Sequence, residues 1–383
     1  MAGIDESQGY VYVEGRRLRR GFTTGSCAAA ASKAATVYLL TGEAPEFVDL
    51  VTPRGIPIHV KVEEPSSGDG WASCAVRKDG GDDADDTNGA LVVSKVSLSG
   101  TSGVHIDGGF GVGRVTRRGL DQPPGNAAIN HVPRSMITEC VSDVCQTCGY
   151  TGGVDVEISV PEGEVIGART FNPRLGIKGG ISILGTSGIV EPMSEKALVG
   201  SIKAEMNVFM ADGRRYLLTV PGNYGKDFVR DFPALEGQQP VECSNFIGEF
   251  LDMAVESGAK GVLLVGNLGK LVKIAGGIMN THSRHADSRM EILCSNALLA
   301  GASPETCRRI MDCVSTDDAL ELLDAEGMIQ KTMDLLIPKI EFHMNHRVRG
   351  SIEVGAVVFS SEFGTLGCTP SADSLLKKVG ERL

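Results

Sequence analysis

The second half of the chain constrains the architecture most, because short apolar runs alternate there with stretches of helical periodicity. Residues 215–220, 240–243, 261–265 and 352–359 read as strands. A helix capped by Ser194 runs toward residue 211, and 245–257, 268–275, 287–299, 304–314, 317–325 and 328–347 read as further helices. This alternation predicts a two-domain chain whose second domain, 194–383, is an α/β Rossmann-like fold with a mostly parallel sheet. The first half differs in texture. β-Branched runs at 56–62, 90–98 and 154–160 are separated by glycine and aspartate clusters, with helices only at 26–40 and 134–148. It predicts an α+β domain over 1–193.

At 383 residues and 42% hydrophobic content the chain exceeds what one core usually supports, which agrees with two domains. The net charge of -11 is spread evenly, with 17 basic against 23 acidic side chains in 1–193 and 20 against 25 in 194–383. Nucleic acid is not an expected partner, since phosphate neutralisation needs a basic face. No apolar run reaches the length of a membrane span, and the start Met-Ala-Gly-Ile-Asp-Glu lacks a secretion signal, so the expectation is a soluble cytoplasmic protein with no membrane partner.

The ten cysteines are expected to be free thiols. Cys140, Cys145 and Cys148 have the C-x4-C-x2-C spacing of an iron–sulfur loop, but the next cysteine is Cys243. They also share a helical apolar stripe with Met136, Ile137, Val141 and Val144 behind Pro133, which favours core thiols over a cluster. The acidic, glycine-rich segment 78–89 reads as a flexible loop or a cation-binding loop, outside the EF-hand register.

Residues 16–35 combine four arginines, the hydroxyls of Thr23, Thr24 and Ser26, Gly25 and an alanine-rich helix start. Hydroxyls, unpaired N–H groups, a positive dipole end and guanidinium forks all favour an anion, so a carboxylate-rich or phosphate-rich ligand is one reading and an ordinary capped helix the other. Further cations stand beside glycines in the first domain. If their loops converge, Arg114, Arg117, Arg134, Arg174 and Lys178 make a pocket for several carboxylates.

Ligands of open parallel sheets bind beyond the carboxyl ends of strands, which directs attention to two glycine-rich turns. One carries Gly222, Asn223 and Gly225; the other carries Gly266, Asn267 and Lys270, with Lys273 a turn later. Neither is a dinucleotide fingerprint or a Walker loop, leaving a nucleoside-bearing cofactor with fewer phosphates or plain tight turns. His282, His285, Asp287 and Glu291 cluster before a helix; they suit a metal, an acid–base pair or a capped helix start with solvated histidines.

These segments together resemble the cobalt-precorrin-5B C1-methyltransferase family of anaerobic cobalamin biosynthesis. The resemblance runs through RRGFTTGSCAAAASK at 19–33, residues 78–90, IDGGFGVGRVT at 106–116, TFNPRLGIKGGISILGTSGIVEPM at 170–193, VPGNYG at 220–225, and residues 243–247 and 261–290. It implies methyl transfer from S-adenosylmethionine to carbon 1 of cobalt-precorrin-5B, giving cobalt-precorrin-6A. The cobalt belongs to the substrate, so no protein-bound metal is expected. Under this reading Thr23, Thr24, Ser26, Arg114, Arg134, Arg174 and Lys178 meet the anionic tetrapyrrole, and Gly222, Asn223, Gly225, Gly266, Asn267 and Lys270 meet the cofactor. His282 with Asp287 is the candidate base. Asn267 stands where the family commonly has histidine. The alternatives are a non-catalytic tetrapyrrole carrier and an iron–sulfur redox enzyme.

Overall fold

The computed structural model describes Gly3, Ile4 and residues 9–379; residues 1, 2 and 5–8, within the stretch read above for a secretion signal, and 380–383 lie outside the described residues. The chain divides into two compact units, Met1–Glu195 and Lys196–Leu383, each of mixed sheets and helices. Among the described residues no helix is long and apolar enough to cross a membrane.

In the first unit β1 (Glu63–Gly68), β2 (Trp71–Arg77), β3 (Leu91–Ser99), β4 (Val104–Gly108) and β5 (Gly153–Ser159) form a sheet in the order β4-β5-β3-β2-β1, in which only β4 and β5 pair in parallel. Alternate residues point to opposite faces. Ala72, Cys74, Val76, Val92, Val96, Val154 and Val156 are buried, while Lys95, Asp155 and Glu157 are exposed. Helix α1 (Thr24–Thr41) covers the buried face and α2 (His131–Thr147) packs beside it. Ala28, Ala29, Ala30, Ala31, Ala34 and Ala35 are all 0% exposed. Side chains of one methyl let α1 close on the sheet and on α2 at once. Ser32, buried among them, donates to the Ala28 carbonyl at 2.7 Å and lies 2.9 Å from the Ser94 hydroxyl, so no polar group is stranded.

The acidic segment 78–89 wraps two of the protein's own cations. Lys78, 3% exposed, donates from Nζ to Asp85 Oδ2 at 2.5 Å. Arg19 forks onto Asp79 at 2.5 and 2.7 Å. Burial alone would raise the Asp85 carboxyl, but the charge and hydrogen bond of Lys78, with those of Thr87, hold it below its ordinary value. The two segments touch through glycines, since a Cβ on Gly21 or Gly81 would meet a backbone oxygen of Asp79 or Arg19 at 2.3 Å.

In the second unit α3 (Glu195–Ala211) leads into β6 (Tyr216–Val220), α4 (Asn223–Asp231), β7 (Val241–Glu242), α5 (Ile247–Glu256), β8 (Gly261–Asn267) and α6 (Leu268–Ala275). Then come α7 (Arg289–Ala300), α8 (Pro304–Met311), α9 (Thr316–Asp324), α10 (Ile329–Val348), β9 (Glu353–Ser360), β10 (Gly364–Cys368) and α11 (Ala372–Lys378). The sheet order is β7-β6-β8-β9-β10, with β6, β7, β8 and β9 parallel and β10 antiparallel. β8 is buried along Gly261 to Gly266, as a central strand covered on both faces must be. One core cluster contains Val262, Leu264 and the inner residues of α5, α6 and α10; another contains Leu263, Val265, Phe359 and Leu375.

Candidate active site

In the first unit the start of α1 is covered by the segment 182–188. The Thr23 hydroxyl caps the helix by accepting from the Ser26 N–H at 3.2 Å. Thr24 Oγ1 accepts from the Leu184 N–H at 2.9 Å, and the Gly25 N–H donates to the Leu184 carbonyl at 3.0 Å. Ser26, 0% exposed, donates to the Gly188 carbonyl at 2.7 Å. A Cβ on Gly185, whose φ is +137°, would stand 2.3 Å from Thr23 Oγ1. Thr23, Thr24 and Ser26 thus bind a backbone segment of the protein itself, and an anion reaching them has to displace it. Ser26→Ala removes this buried hydrogen bond and leaves the Gly188 carbonyl with the Thr23 N–H alone, and is expected to lower stability by about 0.5–1.5 kcal/mol, read from the urea midpoint of the full chain.

The cationic loops of the first unit meet in part. Arg114–Val115 pairs antiparallel with Ile177–Lys178, which sets Arg114 opposite Lys178. Arg117 donates to the Arg174 carbonyl at 3.4 Å, and the Arg174 guanidinium lies 5.4 Å from the Phe171 ring centroid. Arg114 forks onto Asp107 at 2.7 and 2.9 Å, an acid the sequence reading did not single out, and its hydrogen bonds keep the Asp107 carboxyl below its usual range. Arg134 is turned inward, donating to the carbonyls of Ile129 and Ile106 at 2.8 and 2.9 Å, and burial pulls its pKa down. Lys178 is exposed and has no ion-pair partner among the described residues.

In the second unit the chain runs from β6 to β7 on one side and then to β8 on the other, so the strand order reverses between β6 and β8. The two glycine-rich turns flank that point. Lys270 joins them, donating from Nζ to the Pro221 carbonyl at 3.0 Å. Burial lowers the Lys270 pKa, opposed by the nearby carboxylate of Glu242. Asn267 caps α6, accepting from the Gly269 N–H at 2.8 Å, and its amide reaches Ser361 Oγ at 3.4 Å. Gly225 and Gly266 permit tight packing, since a Cβ would lie 2.8 Å from Val220 Cβ or 2.3 Å from Leu271 Cδ1. Gly222 is different: a Cβ there would meet nothing within 4 Å, and α4 behind it has no side-chain cap.

The histidine segment belongs to the same edge. Gly248 and Thr281 exchange backbone hydrogen bonds with Met279 and Asn245, tying 279–281 to the turn after β7. Lys273, one turn beyond Lys270 and 3% exposed, holds this segment by donating to the carbonyls of Thr281 and Ala286 at 3.2 and 2.9 Å. His282 is exposed, and its Nδ1 accepts from the Arg284 N–H at 3.2 Å, which places the proton of the neutral ring on Nε2. Asp287 takes a fork from Arg289 at 2.8 and 2.9 Å. His282 and Asp287 therefore share a segment but do not hydrogen-bond to each other.

Cys140 and Cys145 lie in the first core, and Cys148 is exposed at the end of α2. Burial pushes the Cys140 thiol up to about 11 and raises that of Cys145, keeping both protonated.

A family model described as CbiD matches residues 11–192, and one described as CbiD, C-terminal domain, matches residues 280–370. A relative from Ruminiclostridium cellulolyticum named cobalt-precorrin-5B C(1)-methyltransferase is 47% identical over 92% of this chain and 91% of its own. The chain belongs to the CbiD family. A second relative of that name, from Alkaliphilus metalliredigens, is 43% identical over 96% of this chain and 97% of its own. A solved cobalamin biosynthesis protein (cbiD) from Archaeoglobus fulgidus is 32% identical, covering 74% of this chain and 88% of that one at a TM-score of 0.40. In this CbiD-family chain the candidate substrate residues and His282 with Asp287 fall inside the matched segments, whereas Gly222 to Lys270 lie between them.

Proposed function

We propose that this chain is an S-adenosylmethionine-dependent C-methyltransferase that methylates carbon 1 of cobalt-precorrin-5B in cobalamin biosynthesis. The observation that carries this reading is the 47% identity to a relative of that name across nine-tenths of both chains. The substrate is a small anionic cobalt tetrapyrrole. We assign it to the first unit, taken as the domain 1–193, where the exposed Lys178 beside Arg114, with Arg174 in the short helix Asn172–Leu175 just before that strand, offers donors for carboxylate arms. Arg134 and the hydroxyls of Thr23, Thr24 and Ser26 shape that region through the backbone they hold.

We assign the cofactor to the second unit, taken as a Rossmann-like domain over 194–383. The residues there fit an adenosine-bearing ligand: the open space over Gly222, the uncapped start of α4 and the Asn267 amide stand at the reversal point of the sheet. When bound, the cofactor supplies an electrophilic methyl on a sulfonium. Gly222 and Asn223 would offer backbone N–H groups, Gly225 and Gly266 keep the helices close to the strands, and Lys270 fixes the spacing of the two turns. Positioning and exclusion of water then account for most of the acceleration. His282 would act from Nε2 as a proton carrier, with Asp287 and Lys273 holding its segment.

The test is anaerobic incubation of the purified chain with cobalt-precorrin-5B and methyl-labelled S-adenosylmethionine, followed by mass spectrometry of the tetrapyrrole. A product one methyl heavier, labelled at carbon 1, is expected. An unchanged mass with folded protein and intact reactants would leave a tetrapyrrole carrier as the better account.

A further inference from the structure

Glu242, which the sequence reading passed over, is the last residue of β7. β7 runs parallel to β6, with Glu242 in register with Val220, so both strands end at the same edge of the sheet. Its carboxylate is ion-paired with Lys226, which lies in the first turns of α4, the helix that starts behind Gly222. The pairing holds the carboxylate on the side of that helix. The Glu242 side chain is 24% exposed, so it is accessible yet partly shielded. Lys270, which bridges the two glycine-rich turns, feels the charge of Glu242 as well. The carboxylate thus lies beside Lys226 at the edge where the strand order reverses, and Gly222, with open space over it, follows shortly after its register partner Val220.

A carboxylate has two acceptor oxygens in one plane and, when ionised, no donor. Two adjacent hydroxyls on one ring present the matching pair of donors, and charged acceptors strengthen each bond. In doubly wound sheets an acidic residue about twenty positions after the glycine turn of the first strand is the group that meets a ribose hydroxyl. Glu242 stands twenty positions after Gly222. We infer that Glu242 receives the 2′- and 3′-hydroxyls of the ribose of the methyl donor, with Lys226 orienting its carboxylate. The inference rests on the assignment of S-adenosylmethionine to the second unit. It supplies what the glycine turns alone lack, a reason for the site to select a ribonucleoside.

The experiment is calorimetric titration of the full chain with S-adenosylhomocysteine and with its 2′-deoxyribose counterpart, for the native protein and for Glu242→Gln. The native protein is expected to bind the ribose compound about 10–100-fold more tightly than the deoxy compound. In Glu242→Gln the ribose compound weakens by a similar factor and the discrimination collapses to within about 3-fold. Native protein that binds both compounds equally overturns the inference and leaves the cofactor assignment standing, and this arm needs no variant to fold. Full discrimination kept by a folded Glu242→Gln overturns it in the same way. A native protein that binds neither compound, with or without substrate present, overturns the cofactor assignment and the inference with it.

Discussion

Replacing Asp85 by alanine is expected to cost the first unit about 3–5 kcal/mol, because it leaves the ammonium of Lys78 buried without its counter-charge. The readout is a urea denaturation midpoint followed by a probe in residues 1–195, with the m-value unchanged. The companion Lys78→Met with Asp85→Leu, which removes both charges, is expected to recover most of the loss. The pH dependence has a definite sign. The folded Asp85 carboxyl titrates below its ordinary value, so its contribution is fully present above the unfolded value and disappears as pH falls through the folded one. The stability gap between the native chain and Asp85→Ala should therefore be constant near neutrality and shrink below about pH 4. A gap that stays the same down to pH 2 would sink the argument.

Lys270→Met is expected to lower kcat/KM for methyl transfer by about 100-fold, with a melting temperature close to that of the native chain. Its Nζ joins the turn after β6 to the start of the helix after β8, and without it the two turns are free to separate. Misplacement by about 1 Å at an orienting site costs on the order of 10²-fold in rate. Affinity for S-adenosylhomocysteine should fall in parallel, since the same two turns flank the proposed cofactor. A loss smaller than about 3-fold would show that the turns hold their spacing without this lysine.

The regular elements of the second unit were readable because each buries a long apolar run or a clear stripe. β8 with Val262 to Val265 and α6 with Leu268, Leu271 and Val272 show it best. α4 was not, because it opens Asn-Tyr-Gly, a turn composition, and depends on Val229 packing into the core. β2 escaped for a different reason: its inward residues Ala72 and Cys74 are small, so Trp-Ala-Ser-Cys-Ala-Val-Arg carries little hydrophobic alternation. Glycines and cations marked where turns and loops would lie, but their partners were beyond sequence reasoning. Arg114 facing Lys178, Lys270 reaching the Pro221 carbonyl and Arg134 turning inward follow from pairings between segments far apart in the chain. His282 and Asp287 look like a pair in sequence because they are five residues apart, yet the Arg284 N–H holds Nδ1 of His282 and Arg289 forks onto Asp287, so the two are not hydrogen-bonded to each other.

The cover over the start of α1 also sets an order of events during synthesis. Thr24 is tied to Leu184 across 160 residues, and at about 5–20 residues per second roughly 8–30 s separate their emergence from the ribosome. For that interval the alanine-rich helix lacks the segment 182–188 that binds its first turn, and for the earlier part of it the strand β5 that completes the sheet has not emerged either. The nascent first unit then carries an uncovered apolar helix and an unpaired edge on β3, which are features that chaperones recognise and that invite association between neighbouring chains. Release of β5 closes the edge and release of the segment 182–188 then closes the helix start, so a ribosome stalled before β5 has emerged should hold an aggregation-prone chain, and one stalled just after residue 195 plus the exit-tunnel length a protease-resistant one.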